Sequence, residues 1–362
     1  MHLTLLVPEL IWPEPGDTQT LGNLPVPSFA WLDGHAAFLR STPVSFEKAL
    51  LEIFALPDAG TANFRRLGEN PGQTEDLGKL EDTGYWLCAD PVHLRFHQER
   101  IVLADAGAFD LDDDEAHTLI AALNGTFSDI GSFHFGTARR WYLRLNAAVD
   151  HVAKPLSAVA GRRMDGELDD KTSPLHRWLN EVQMFLHLHP INEARAAAGK
   201  PAVNSLWLWG NGPAGTLAPK NLAPQTASLP DAVFSADPLA RGLACAAGIV
   251  PKDRPATPAI VLNSGARRPL VVLDQLLPTV LYENPDEWRR CFMALEAEWF
   301  SALRGQLGKT LKNLDIIAPT IYGRLHWQIS AGARWKFWKS GRGPQQIAQA
   351  LAESGKTQPQ GL

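Results

Sequence analysis

The chain has 362 residues, 45% of them apolar, and a formal net charge of −5. That length favours two compact units or one core with a large insertion, and the acidic balance argues against nucleic acid or an acidic membrane surface as a partner. Three scattered cysteines exclude a disulfide framework and suit a reducing cytoplasm, and no run of about twenty apolar residues is present to span a membrane.

Met1–Trp12 is apolar, but it has no basic start and Pro8 cuts it short, so no signal peptide is expected. Leu3–Val7 predicts a buried first strand ending at Pro8-Glu9. Trp12–Ser28 is a Pro- and Gly-rich loop. Ala30–Arg40 and Phe46–Ala55 carry helical patterns, separated by Pro43 and a capping Ser45. Asp58–Gly84 is polar and Gly-rich, an exposed connection. In Tyr85–Asp105, Pro91 starts a strand in which Val92, Leu94 and Phe96 alternate with His93, Arg95 and His97, giving one apolar face and one able to meet an anion. Ile101–Ala104 returns beside it.

Asp110–Glu115 spaces its acids like a calcium loop, but Glu115 stands where glycine is needed and Ala121 where the closing glutamate is needed. The acids instead suit the start of a helix over His117–Leu123. Phe127–Leu145 reads as β-structure, with Trp141, Leu143 and Leu145 on one face. Val149–Lys171 is of mixed charge. An apolar-periodic helix then runs over Leu175–Leu188 and Pro190 breaks it. Asn192 offers a cap for a second helix, Glu193–Ala198, and Gly199 closes that one. Ser205–Trp209 has the pattern of a buried strand and Gly210-Asn211-Gly212 turns out of it. A dense polar group, Asn192, Arg195, Lys200 and Asn204, falls into two adjacent turns.

The segment to Leu229 is irregular. Asp237-Pro238 sets a turn before a small-residue helix, Leu239–Ala247. Ala259–Leu262 and Leu270–Leu273 pattern as core strands, the second ending in Asp274. Asn284-Pro285 caps a strong amphipathic helix over Asp286–Gln306. Leu314–Ala318 and Gly323–Lys339 close the fold, the latter as a hairpin turning at Ala331-Gly332. A short helix and frayed tail follow in Pro344–Leu362.

Two nucleotide motifs fail on context. Gly210–Gly215 matches G-x-G-x-x-G after a strand, yet Pro219 and Pro224 prevent the helix that should follow. Gly305–Thr310 resembles a P-loop, but Leu303 occupies the place of its first glycine. The basic and aromatic run Arg334–Arg342 is explained by a closing strand with a solvated cationic face, and no nucleic-acid partner is expected.

The letters His189, Pro190, Ile191, Asn192, Arg195, Gly199, Pro201, Asn204, Gly210 and Gly212, with the block Asp90–Asp105, resemble the archaeal-type cofactor-independent phosphoglycerate mutases. The similarity extends to their divergent bacterial branch labelled regulatory protein RpfE type. It implies an α/β fold: an alkaline-phosphatase-like core, residues 1–108 and 205–340, interrupted by a smaller α+β substrate-side domain, 109–204, with a tail at 341–362. It also implies a substrate-contacting set of Arg95, Arg139, Arg140, His189, Asn192, Arg195 and Asn204 around a phosphorylated small molecule.

The family's chemistry uses two divalent metal ions held by Asp and His residues, which activate a serine or threonine. Here Pro8 or Glu9 stands where the family's first-strand Asp is expected, and His326 is the only histidine after Pro190. The metal pair is therefore expected to be lost, with no metal ligands and no catalytic residue assigned. The function that follows is a cytoplasmic, regulatory or ligand-sensing pseudoenzyme that binds a phosphorylated small acid. The alternatives are an active mutase or phosphotransferase with an atypical site, and a scaffold binding a protein partner through its aromatic surface.

Overall fold

In a computed structural model, the described residues are 1–69, 84–97, 100–149, 151, 153–161, 174–211, 229–335 and 339–356. The strands, in chain order, are β1 (His2–Leu6), β2 (Ala37–Ser41), β3 (Tyr85–His97), β4 (Arg100–Asp105), β5 (Gly131–Thr137), β6 (Arg140–Leu145), β7 (Ser205–Trp209), β8 (Ala232–Phe234), β9 (Pro269–Val272), β10 (Asn313–Thr320) and β11 (Gly323–Ser330). The fold is mixed α/β and divides into unit 1, Met1–Pro57 with Ala218–Leu362, and unit 2, Asp58–Leu217.

Unit 1 is built on a six-stranded sheet of order β2-β11-β10-β1-β9-β8. The apolar run of β1 is buried between two parallel neighbours, β9 and β10, as strands covered on both faces require. β8 adds in parallel to β9, while β11 and β2 run antiparallel at the far edge. Leu3, Leu5, Leu314, Ile316, Leu325 and Trp327 join Phe29, Trp288, Phe292 and Trp299 from the helices in one apolar core.

The helix Pro285–Leu295 begins where Asn284 accepts from the Glu287 N–H at 3.1 Å. It passes through a π turn, Glu296–Phe300, before continuing as Ser301–Gln306. That turn belongs with a specific packing event. The buried Glu296 carboxylate accepts from Ser28 N at 2.7 Å and Phe29 N at 2.9 Å. These are the orphan amides of helix Pro27–His35, whose preceding residue, Val26, supplies no capping side chain.

Four sequence expectations change in this unit. The helix expected over Ala30–Arg40 ends at His35, and Ala37–Ser41 becomes β2 because β11 offers it a ladder. Ala259–Leu262 is a helical turn rather than a strand. The final hairpin pairs β10 with β11 and turns at Ile321-Tyr322, while Ala331–Trp335 is a 3-10 turn. Helix Pro344–Lys356 is no loose tail: Ile347, Ala348 and Leu351 are in the core.

Unit 2 holds an antiparallel sheet of order β4-β3-β6-β5, with β7 on the other edge of β3. Leu87, Ala89, Trp141, Leu143, Leu206 and Leu208 form one apolar face under the helices Asp113–Thr126 and Pro174–His187. The first of these helices is longer than expected and starts with a capping box between Asp112 and Glu115. The unit boundaries therefore fall near residues 57 and 217, not 108 and 204. β3 and β4 share a ladder with each other, and β3 also pairs with β6 and β7, so all four belong to one sheet. β3 also begins at Tyr85, with Pro91 inside it. Among the described residues, no helix is long and apolar enough to cross a membrane.

Candidate functional site

The polar group singled out in the sequence lies within unit 2, where most of it is spent on the fold. Asn192, 4% exposed, donates through Nδ2 to the carbonyls of Leu186 (2.7 Å) and Val203 (2.8 Å), and its Oδ1 accepts from Val203 N at 2.8 Å. It staples the end of one helix to the approach of β7 and does not cap a helix. That role falls to His189, ahead of the helix Pro190–Ala197 with Pro190 in its first turn. Burial lowers the His189 pKa.

Arg195, 2% exposed, donates from Nε to the Pro201 carbonyl at 2.8 Å, and its other nitrogens bond Glu115 and the Asp110 carbonyl. Asn204 extends β7 by side-chain mimicry of a strand: Oδ1 accepts from Leu94 N at 2.7 Å and Nδ2 donates to Leu94 O at 2.8 Å. Asn192, Arg195 and Asn204 are thus each bonded to backbone, and Arg195 also to Glu115. Arg140 is likewise engaged, forked on Glu69 at 2.7 and 2.8 Å. Arg95 and Arg139 are exposed, and Arg139 stands with Lys200 and Arg195 among the cations that lower the Asp110 pKa, Lys200 through a hydrogen bond first of all.

Beside Arg140 stands a network that sequence reasoning did not single out. Arg65 of helix Thr61–Glu69 meets the buried Asp90 at 2.9 and 3.0 Å, and Trp209 Nε1 donates to the same carboxylate at 2.8 Å. The Arg65 guanidinium also lies over the Tyr142 and Trp209 rings, and the Tyr142 hydroxyl donates to Glu69 at 2.7 Å. Burial works against the Arg65 charge, but Asp90 overrides it and holds that pKa well above its ordinary value. Burial also drives Tyr142 well upward. The network is closed, charge against charge. Asp90, an acid directly after the apolar run Tyr85–Ala89, was the signal that could have found it.

Unit 1 leaves its polar chemistry at the carboxyl ends of its parallel strands. β9 and β10 flank β1 on opposite sides, so the chain reverses its direction of growth there, the place where open α/β sheets take ligands. Glu9, 6% exposed, follows β1 with a left-handed φ of 56°. Its carbonyl accepts from Trp288 Nε1 at 3.0 Å, and its amide donates to Pro319 at 2.9 Å. Asp274 follows β9 and binds Arg254 at 2.9 Å. Burial raises the Asp274 pKa, and Arg254 opposes that rise. After β8, Arg241 pairs with Asp253 at 2.8 Å and Lys252 lies over the Phe234 ring. Pro251-Lys252-Asp253-Arg254-Pro255 is therefore a cationic loop at the strand ends. Its clustered charges between two prolines were the readable sign of it.

A divalent metal pair does not fit the residues described here. Among them no group of three or more His, Cys, Asp and Glu side chains is gathered to hold an ion. At the β9 end, Asp274 already faces the Arg254 cation, and a metal would have to displace that guanidinium.

The chain is similar to cofactor-independent phosphoglycerate mutases. It is 29% identical over 232 residues to the 2,3-bisphosphoglycerate-independent phosphoglycerate mutase of Methanosarcina mazei, covering 60% of this chain and 54% of that protein. It is 23% identical over 209 residues to the enzyme of the same name from Methanothrix thermoacetophila, covering 57% and 50%. The matched stretch thus spans about half the length of these curated relatives. No protein-family model matches the chain. Among solved structures, the PH0037 protein from Pyrococcus horikoshii superposes with a TM-score of 0.53 at 14% identity, over 100% of this chain and 99% of that one, a likeness of fold.

Proposed function

We propose that this chain is a mutase-like protein of the RpfE-type branch that binds a phosphorylated small acid without metal-dependent turnover and acts as a regulator. Unit 1 would be the alkaline-phosphatase-like core, and the ligand's phosphate would sit at the carboxyl ends of β8 and β9. Arg254 supplies the main contact there, by charge-assisted bonds of the kind guanidinium forms with phosphate. The observation that carries this reading is the Arg254–Asp274 pair, a fixed protein cation standing where metal-dependent chemistry would need a free carboxylate.

Without metal ions, the charge developing on a transferring phosphoryl group would rest on arginine alone, a poor setting for turnover. Metal analysis of the purified protein, a mutase assay with added manganese, and a thermal shift with 3-phosphoglycerate test the proposal together. The expected result is substoichiometric metal, no turnover, and a rise in Tm that Arg254→Ala abolishes. Two tightly held metal ions per chain with mutase turnover would overturn it.

A further inference from the structure

The amino ends of the strands of unit 1 hold a second group of polar side chains, at the opposite end of the sheet from Glu9 and Asp274. Strand register sets them in a row. His2 of β1 pairs with Asn313 of β10, and Asn313 with Ser330 of β11, so the three share one face. Asp315, two residues along β10, returns to that face. His2 Nε2 lies 2.6 Å from Asp315 Oδ2, and His326 Nε2 of β11 lies 3.3 Å from Oδ1. Burial would raise the Asp315 pKa, but the bonds from His326 and His2 outweigh it and hold the carboxylate below its usual range. Asp315 is therefore ionised at neutral pH, with each oxygen facing an imidazole.

That arrangement fixes the chemistry of the His2 ring. A carboxylate only accepts, so Nε2 carries a hydrogen in either charge state of the ring. The other nitrogen, Nδ1, bonds nothing among the described residues, and it carries a hydrogen only when the ring is an imidazolium. The His2 side chain is 41% exposed, against 17% for Asp315. It lines a cleft of about 500 Å³ together with His35, Asn313, Asp315, Ser330 and Lys339, a volume ordinary for a small-molecule site.

The polar groups left to meet a ligand there can all donate: Lys339, the Asn313 amide, the Ser330 hydroxyl, and His2 Nδ1 once protonated. Asp315 is spent on its two histidines. His35 turns Nδ1 to the Trp31 carbonyl at 2.8 Å, and its Nε2 is out of reach of solvent. Arg267, whose carbonyl accepts from His2 N at 2.8 Å, and Lys312, just before Asn313, add positive charge on the flanks. Asp231 lies beyond them, on the amides of Arg267 and Arg268. An oxyanion with several acceptor atoms satisfies all four donors, and the cleft leaves room for more than a bare ion. We propose that this cleft binds a small phosphate monoester, its phosphate between Lys339 and His2 Nδ1, and that binding takes up the proton that makes His2 an imidazolium. Asn313 and Ser330 donate to the remaining oxygens, and the wall of Ala36, Ala37 and Ala333 meets the organic part. Because the ligand favours the protonated ring, the affinity this ring confers is highest at low pH and falls as pH rises through the imidazole range.

The test titrates the whole protein with glycerol 3-phosphate, with inorganic phosphate, and with sulfate, which stays fully ionised and so cannot itself take the proton. Binding is read by calorimetry in buffers of different ionisation heat, which counts protons, and by the imidazole nitrogen resonances of His2. Glycerol 3-phosphate should bind at about millimolar Kd, and inorganic phosphate about tenfold more weakly. Sulfate should bind with proton uptake, move the His2 Nδ1 signal, and weaken about tenfold from about pH 5.5 to about pH 8. His2→Gln should remove the uptake and the pH dependence, and should that variant not fold, the His2 resonance decides together with Lys339→Ala. The exposed Lys339→Ala should weaken each anion about tenfold with Tm unchanged. Arg254→Ala, aimed at the site at the other end of the sheet, should leave sulfate binding intact. An unmoved His2 resonance, proton uptake kept in His2→Gln, phosphate equal to glycerol 3-phosphate, wild-type affinity in Lys339→Ala, or loss of sulfate in Arg254→Ala would each overturn the assignment.

Discussion

The two units use polar side chains for different ends. In unit 2, Arg65, Asp90, Asn192 and Arg195 are buried and each finishes on a partner in the same unit, so their charges and amides join strands, helices and loops alongside the apolar core. Unit 1 buries Glu296 on the amides of Ser28 and Phe29 and Asp33 on Trp327 and Arg342, and it sets further charged pairs near the ends of its strands, Arg254 with Asp274 and His2 with Asp315. A residue pattern shared with an enzyme family is therefore not in itself a ligand site. In unit 2 the shared letters Asn192, Arg195 and Asn204 are bonded to backbone and to Glu115; in unit 1 the strand ends are where we propose that the ligand binds.

The largest effect should come from opening the closed network. Asp90→Ala leaves Arg65 charged and buried without its partner, and should cost about 4 kcal/mol in urea unfolding. Arg195→Ala follows at about 3 kcal/mol, since it strands two carbonyls and Glu115. If Arg195→Ala instead left stability unchanged and abolished a ligand-induced Tm shift, the contrast between the units would collapse. Asn204→Ala should cost about 1–2 kcal/mol, the worth of two bonds to Leu94.

Unit 1 should answer differently. Arg254 and Asp274 side chains are about a third exposed, and Arg254→Ala should change stability by less than about 1 kcal/mol while removing the response to 3-phosphoglycerate. A variant that moves binding without stability in one unit, set beside variants that move stability in the other, is the sharpest form of the comparison.

Much of the scaffold could be read from local sequence. Asn284-Pro285 fixed the start of the long helix, Ser45 capped the helix Phe46–Ile53 as expected, and alternation in Arg140–Leu145 marked β6. What failed depended on distant partners. Ala37–Ser41 is a strand because β11 lies beside it, and no local propensity records that. The partner of Arg195, Glu115, lies eighty residues earlier and is not visible from the sequence as its neighbour. Arg254 was passed over for the same reason: its place beside Asp274, just after β9, is set by topology.

The smallest effect tests whether unit 2 tolerates any charge left over from its network. Asp105 closes β4, accepts from Gly107 N at 2.8 Å, and has its pKa raised by burial, with Asp90 nearby adding to the rise. A raised native pKa means that the folded chain holds this proton more tightly than the unfolded chain does. Its contribution is present in full below the unfolded carboxylate pKa of about 3.9 and is lost as pH rises through the higher folded value. Asp105→Asn keeps the acceptor for Gly107 and carries no proton to lose. Urea midpoints between pH 3.5 and 7 should fall less with rising pH in the variant than in the wild type. A wild-type slope retained in Asp105→Asn would assign the titration to another group and leave the buried face of unit 2 without an uncompensated acid.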